Sequence, residues 1–81
     1  MEESHGQEVR LHELLEPGTK IRARSAGGRV TLTANRPGLV TLSRLFLYLT
    51  QRSVKPGTGV VLDEALGLDP SSSVTVLLEK E

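Results

Sequence analysis

The chain reads as an α+β domain: a four-stranded, mainly antiparallel sheet with one amphipathic helix packed on one face, in the order ββαββ. Three patterns predict it. Thr19 to Ser25 and Arg29 to Ala34 alternate apolar and polar residues with the period of a strand. Leu39, Leu42, Leu45, Phe46 and Leu49 recur at helical spacing. Two further apolar runs, Val60 to Leu62 and Val74 to Glu79, follow the helix. With 81 residues the chain holds one domain, 8–81, preceded by a polar tail at 1–7 that offers nothing to bury. Its core must come from Leu, Val and Ile, because there is one Phe, one Tyr and no Trp.

In Glu8 to Glu16, Leu11, Leu14 and Leu15 match helical spacing, a strand through Val9 and Leu11 being the competing reading, and Pro17-Gly18 ends the element. In the first strand Ile21 and Ala23 oppose Lys20, Arg22 and Arg24; in the second Val30, Leu32 and Ala34 oppose Arg29, Thr31 and Thr33. Ala26-Gly27-Gly28 accepts the positive φ of a tight hairpin between them, which brings Arg22, Arg24 and Arg29 to one side. Asn35-Arg36-Pro37-Gly38 breaks the second strand and opens the helix. The spacing assigns Thr41, Arg44, Tyr48, Gln51 and Arg52 to the helix's polar side, with Val40 and Leu47 as apolar surplus. Pro56-Gly57-Thr58-Gly59 is a turn, Val60-Val61-Leu62 a buried strand, and Asp63 to Ser73 a loop with one helical turn through Glu64, Ala65 and Leu66. The last strand sets Val74, Val76 and Leu78 against Thr75, Leu77 and Glu79.

The formal charge is zero but segmented. Residues 1–16 carry five glutamates against Arg10; residues 17–55 carry Lys20, Arg22, Arg24, Arg29, Arg36, Arg44, Arg52 and Lys55 with no acid; residues 56–81 carry Asp63, Glu64, Asp69, Glu79 and Glu81 against Lys80. Either the acidic ends neutralise the basic middle within the fold, each exposed pair contributing about 0–1 kcal/mol, or the bases form a face for an acidic protein or for phosphates. The neutral total and the lack of aromatics among the arginines place an acidic protein ahead of nucleic acid. The partner-binding candidates are therefore Arg22, Arg24, Arg29, Arg36, Arg44 and Arg52, with Tyr48 as an interface anchor or, equally, a ring packed over the helix flank. A nucleic-acid module using the same arginines, and a homodimer using the surplus apolar arc or an unpaired strand edge, are the rival readings.

Catalytic and metal chemistry finds no pattern. There is no cysteine, no Gly-x-Gly-x-x-Gly and no phosphate loop. His5 and His12 lack a third ligand and read as surface residues; Asp63, Glu64 and Asp69 fit no calcium loop and read as a solvated turn; Ser71 to Ser73 read as loop. The expectation is a non-enzyme without cofactor or metal, in the cytoplasm. Leu39 to Leu49 is interrupted by Thr41, Ser43 and Arg44, too polar for a membrane span.

Val30-Thr31-Leu32, then Pro37-Gly38-Leu39 with Leu42, Leu45 and Leu49, the Pro56-Gly57 turn, the strand ending in Leu62-Asp63, and Leu68 and Ser73 leading to Val74 through Leu78 form an ordered series. In that order of pieces, Arg29 to Glu79 resembles the immunity protein 32 family of bacterial polymorphic toxin systems. Members often place a histidine just before the Leu-Asp pair, where this chain has Val61, and Met1 to Gly28 lies outside the match. The resemblance implies a small cytosolic α+β protein that neutralises a cognate toxin by binding it, without enzymatic activity.

Overall fold

A computed structural model describes residues 11–81; the 1–7 tail and His5 lie outside them. The described chain is α+β, with one α-helix and two separate two-stranded antiparallel sheets. Leu11–Leu14 forms a 3-10 turn. Strands β1 (Ile21–Ala26) and β2 (Arg29–Ala34) form a hairpin, the helix α1 spans Arg36–Thr50, and β3 (Gly59–Leu62) pairs with β4 (Val76–Glu79) after a second 3-10 turn at Glu64–Leu66. Gly27 and Gly28 close the hairpin at φ of 58° and 77°, the left-handed geometry that a two-residue turn requires.

The single four-stranded sheet expected from the stripes does not form, because the free edge of β1 is already occupied. The segment after Leu66 runs beside it, with a parallel bridge between Ile21 and Leu68. The Ile21 N–H donates to the Gly67 carbonyl at 2.9 Å, Asp69 N–H to Ile21 at 2.6 Å and Ser73 N–H to Ala23 at 2.9 Å. Side chains complete this irregular ladder: the Ala23 N–H donates to Ser72 Oγ at 2.9 Å and the Ser25 N–H to Ser73 Oγ at 3.2 Å. Ser72 and Ser73, read from sequence as plain loop, thus stand in for the backbone of a third strand.

One core joins the two sheets, built from Ile21, Leu42, Leu45, Leu49, Val54, Val60, Leu62 and Leu66, with Leu11, Leu14, Ala34, Tyr48, Leu68, Val76 and Leu78 packed at its margin. In β3, Val60 and Leu62 are buried while Val61 faces out, so this strand alternates rather than burying both faces. Helix α1 starts where the sequence places it. Asn35, extended at φ −78°, caps it by accepting from the Gly38 N–H at 2.8 Å; the same oxygen accepts from the Lys20 N–H and its amide donates to the Gly18 carbonyl.

The helix is rotated relative to the expected stripe. Its buried residues are Gly38, Thr41, Leu42, Leu45 and Leu49, whereas Leu39 is 59 % exposed and Phe46 49 %. Two contacts set this rotation. A Cβ on Gly38 would lie 2.7 Å from the Lys20 carbonyl oxygen and 3.0 Å from Ala34 Cβ, so only glycine lets the helix sit against the hairpin's base. One turn on, Thr41 is fully buried and its hydroxyl accepts from the Glu16 N–H at 2.9 Å and meets Thr19 Oγ1 at 2.7 Å. Thr19 in turn donates to the Glu16 carbonyl at 2.6 Å, which closes a ring of hydrogen bonds beneath the helix.

Candidate functional site

In an antiparallel pair, residues directly opposite share a face. The register Arg22–Thr33, Arg24–Thr31 and Ala26–Arg29 therefore brings Arg22, Arg24 and Arg29 to one side with two threonines, and Ile21–Ala34, Ala23–Leu32 and Ser25–Val30 to the other. The helix covers only the base of the apolar side. Ile21 and Ala23 are buried, but Val30 is 65 % exposed and Leu32 39 %. Residues 24–33 are exposed without interruption, so the distal hairpin is open on both faces.

β1 bonds the irregular ladder through Ile21, Ala23 and Ser25, so Arg22, Arg24 and Ala26 bond β2, and the N–H and C=O groups of Val30 and Leu32 point away from the sheet. Among the described residues no strand pairs with that outer edge.

The basic candidates separate into engaged and free. Arg44 pairs with Glu16 at 3.0 Å and reaches the Leu14 carbonyl at 3.4 Å. Arg22 lies 4.0 Å from Asp69, and its Nε is buried without a hydrogen-bond partner. Among the described residues, one arginine of the basic block thus joins each acidic end of the chain, an internal neutralisation at Arg22 and Arg44. Asp69 is itself tethered. The Ser71 backbone N–H, at 2.7 Å, and then the Ser71 hydroxyl hold its carboxyl below the ordinary value of 3.8, with Arg22 and Lys20 acting in the same direction and desolvation opposing them. With Lys20, Arg22, Thr33 and Asn35, Asp69 lines a pocket of about 270 Å³ at the hairpin's base.

Arg24 and Arg29 have no carboxylate within ion-pair reach among the described residues. With Thr31 and Thr33 they line a groove of about 380 Å³ on the basic side of the hairpin. Arg36 and Arg52 are exposed as well, but at opposite ends of α1, whose 15 residues span about 22 Å. Tyr48 is half-buried against the core, over the helix flank. The seven candidates therefore occupy several surfaces, and among the described residues Arg24 and Arg29 combine exposure and proximity with no carboxylate in ion-pair reach.

The acidic loop residues serve local structure. Asp63 Oδ1 accepts from the Ala65 N–H at 3.0 Å at the start of the second 3-10 turn, and Asp69 accepts from Ser71. Among the described residues no three metal-binding side chains converge, and no helix is long and apolar enough to cross a membrane. One feature escaped sequence reading, the uncovered side of the hairpin, hidden because Val30 and Leu32 alternate as core residues do; an unpaired strand edge is expected from the sequence without a place, and an open one among the described residues is that of β2. Compared with family models, curated proteins and solved structures, the chain matches none.

Proposed function

We propose that this chain is a non-enzymatic protein-binding domain, acting in the cytoplasm, and that its exposed hairpin docks an acidic surface on the partner. The carrying observation is the two-sided arm at residues 24–33, with Arg24 and Arg29, which pair with no carboxylate among the described residues, on one side and exposed Val30 and Leu32 on the other. The cations speed encounter with an acidic surface and select for it. The apolar side then provides area whose burial stabilises the complex by roughly 25 cal/mol per Å² removed from water. A phosphate backbone would use the first side and leave the second wet, which favours protein over nucleic acid; the chain's one Phe and one Tyr are on α1, not on the arm. The resemblance to immunity proteins supplies the partner class: a toxin neutralised by occlusion.

Affinity capture from the native host after nuclease treatment tests this reading. The wild-type chain retains a protein partner that Arg24→Glu/Arg29→Glu loses and Arg52→Glu keeps. Retention by the double reversal, or a retained partner that proves to be DNA or RNA in a parallel capture without nuclease, would overturn it.

A further inference from the structure

The hairpin's two edges differ. That of β1 is closed by backbone and hydroxyl groups of residues 67–73, which bond Ile21, Ala23 and Ser25. That of β2 is open: the N–H and C=O groups of Val30 and Leu32 point outward, and among the described residues no strand pairs with them. Proteins blunt such edges with charged side chains, proline, a bulge or a very short strand. Between Arg29 and Ala34 there is no charge and no proline, and the six-residue register with β1 runs without a bulge. β2 is also longer than the four-residue β3 and β4.

We propose that β2 accepts an extended segment of the partner as an antiparallel added strand, one that alternates acidic and apolar residues. This rests on the reading of the hairpin as a docking arm and states how the arm docks. In an antiparallel pair, the guest residues opposite Val30 and Leu32 exchange N–H···O=C bonds with them and share their face. They lie beside side chains that are 65 % and 39 % exposed, and are therefore apolar. The guest residues between them fall on the other face, beside Arg29 and Thr31, where the groove of about 380 Å³ is open. Arg24, across from Thr31, stands one strand further back, about 10 Å from the added strand. An arginine and a glutamate side chain together span that gap, and neither Arg24 nor Arg29 has a carboxylate in reach among the described residues.

Charge selects this occupant over a second copy of the chain. The outward residues of β2 are the even-numbered ones, so in an antiparallel β2–β2 pair even-numbered residues must oppose even-numbered ones. Opposed residues share a face, which gathers Arg24 and Arg29 of both copies on one side, where like charges repel. A strand carrying carboxylates on that side meets the same guanidinium groups with attraction, while its apolar residues cover Val30 and Leu32.

The probe is a short synthetic peptide, blocked at both ends, in which glutamate and valine alternate. It is made in three forms: unmodified, N-methylated at every valine, and N-methylated at every glutamate. The side chains are identical in all three; only the N–H groups that remain differ. In an NMR titration of the isotope-labelled full chain, the unmodified peptide shifts the Val30 and Leu32 amides and slows their exchange. Methylated glutamates leave the affinity nearly unchanged, because those N–H groups point away from β2. Methylated valines weaken it by about tenfold or more, since the bonds to the open edge are lost. Arg24→Glu/Arg29→Glu weakens the unmodified peptide by about tenfold, and a lysine–valine peptide does not bind the wild type. No binding of the unmodified peptide, equal binding of the two methylated forms, or greater loss in the glutamate-methylated form would overturn strand addition. Equal binding that is still lost on the double reversal leaves the arm docking by side chains alone. Binding that survives the double reversal, with the valine-methylated form still lost, would instead overturn the acidic partner and with it the docking reading.

Discussion

Replacing Thr41 with valine keeps the shape of the side chain and removes the hydroxyl on which the rotation of α1 turns. The Glu16 N–H loses its acceptor, and the Thr41–Thr19 hydrogen bond at 2.7 Å disappears, while Thr19 keeps its bond to the Glu16 carbonyl. An orphaned donor costs about 1–3 kcal/mol and the second lost bond about 1 kcal/mol. The added methyl, buried where Thr41 is fully enclosed, returns roughly 0.8 kcal/mol. Thr41→Val is therefore destabilised by about 2 kcal/mol, which for a domain of this size lowers Tm by roughly 8–16 °C. Urea titration followed by circular dichroism reads the change in midpoint. Thr41→Ser, which keeps the hydroxyl and gives up one methyl, is the paired control and loses less. Valine matching the wild type, or serine proving worse than valine, would refute the hydrogen-bond ring as the determinant of the helix face.

Other substitutions probe the remaining joints. Gly38→Ala drives a Cβ to within 2.7 Å of the Lys20 carbonyl and costs about 1–3 kcal/mol in the same titration, more than alanine at any open site. Asn35→Ala removes the helix cap and its two tethers to the preceding loop, for about 1–2 kcal/mol. Lowering pH tests Asp69. Its carboxyl is depressed in the folded chain, so its contribution is present above the ordinary carboxylate value of 3.8 and is lost as pH falls through the lower folded value. NMR titration of the Asp69 carboxyl should show a midpoint below 3.8, and Ser71→Pro, which deletes the N–H donor, should raise it.

Much of the architecture can be read in the residues because it is written in local chemistry. Gly27-Gly28 admits one kind of turn, Asn35 caps the helix that Pro37 helps open, and period-two alternation places Arg22, Arg24 and Arg29 together once the turn sets the register. The helix face is not legible in the same way. Leu39 and Phe46 look like core by hydropathy and Thr41 looks like surface, yet the close approach at Gly38 and the hydroxyl ring at Thr41 turn the helix so that Thr41 joins Leu42, Leu45 and Leu49 in the core and Leu39 and Phe46 face out. Periodicity counts apolar side chains; it does not register a backbone contact or a hydrogen bond between residues 25 positions apart. The joining of the strands into two sheets is hidden for the same reason, since the Ser72 and Ser73 bonds to β1 have no repeat to detect. Within the basic block, sequence finds the arginines but not their partners: Glu16 and Asp69 come from distant segments to meet Arg44 and Arg22.

Hydrogen–deuterium exchange on the captured complex tests the proposed docking arm most directly, because it reads every amide without altering a side chain. The hairpin account predicts added protection concentrated at residues 24–33, with the amides of Val30 and Leu32 on the open edge of β2 among those that slow. Protection confined to α1 or to the β3–β4 sheet, with the hairpin exchanging as in the free chain, would contradict it.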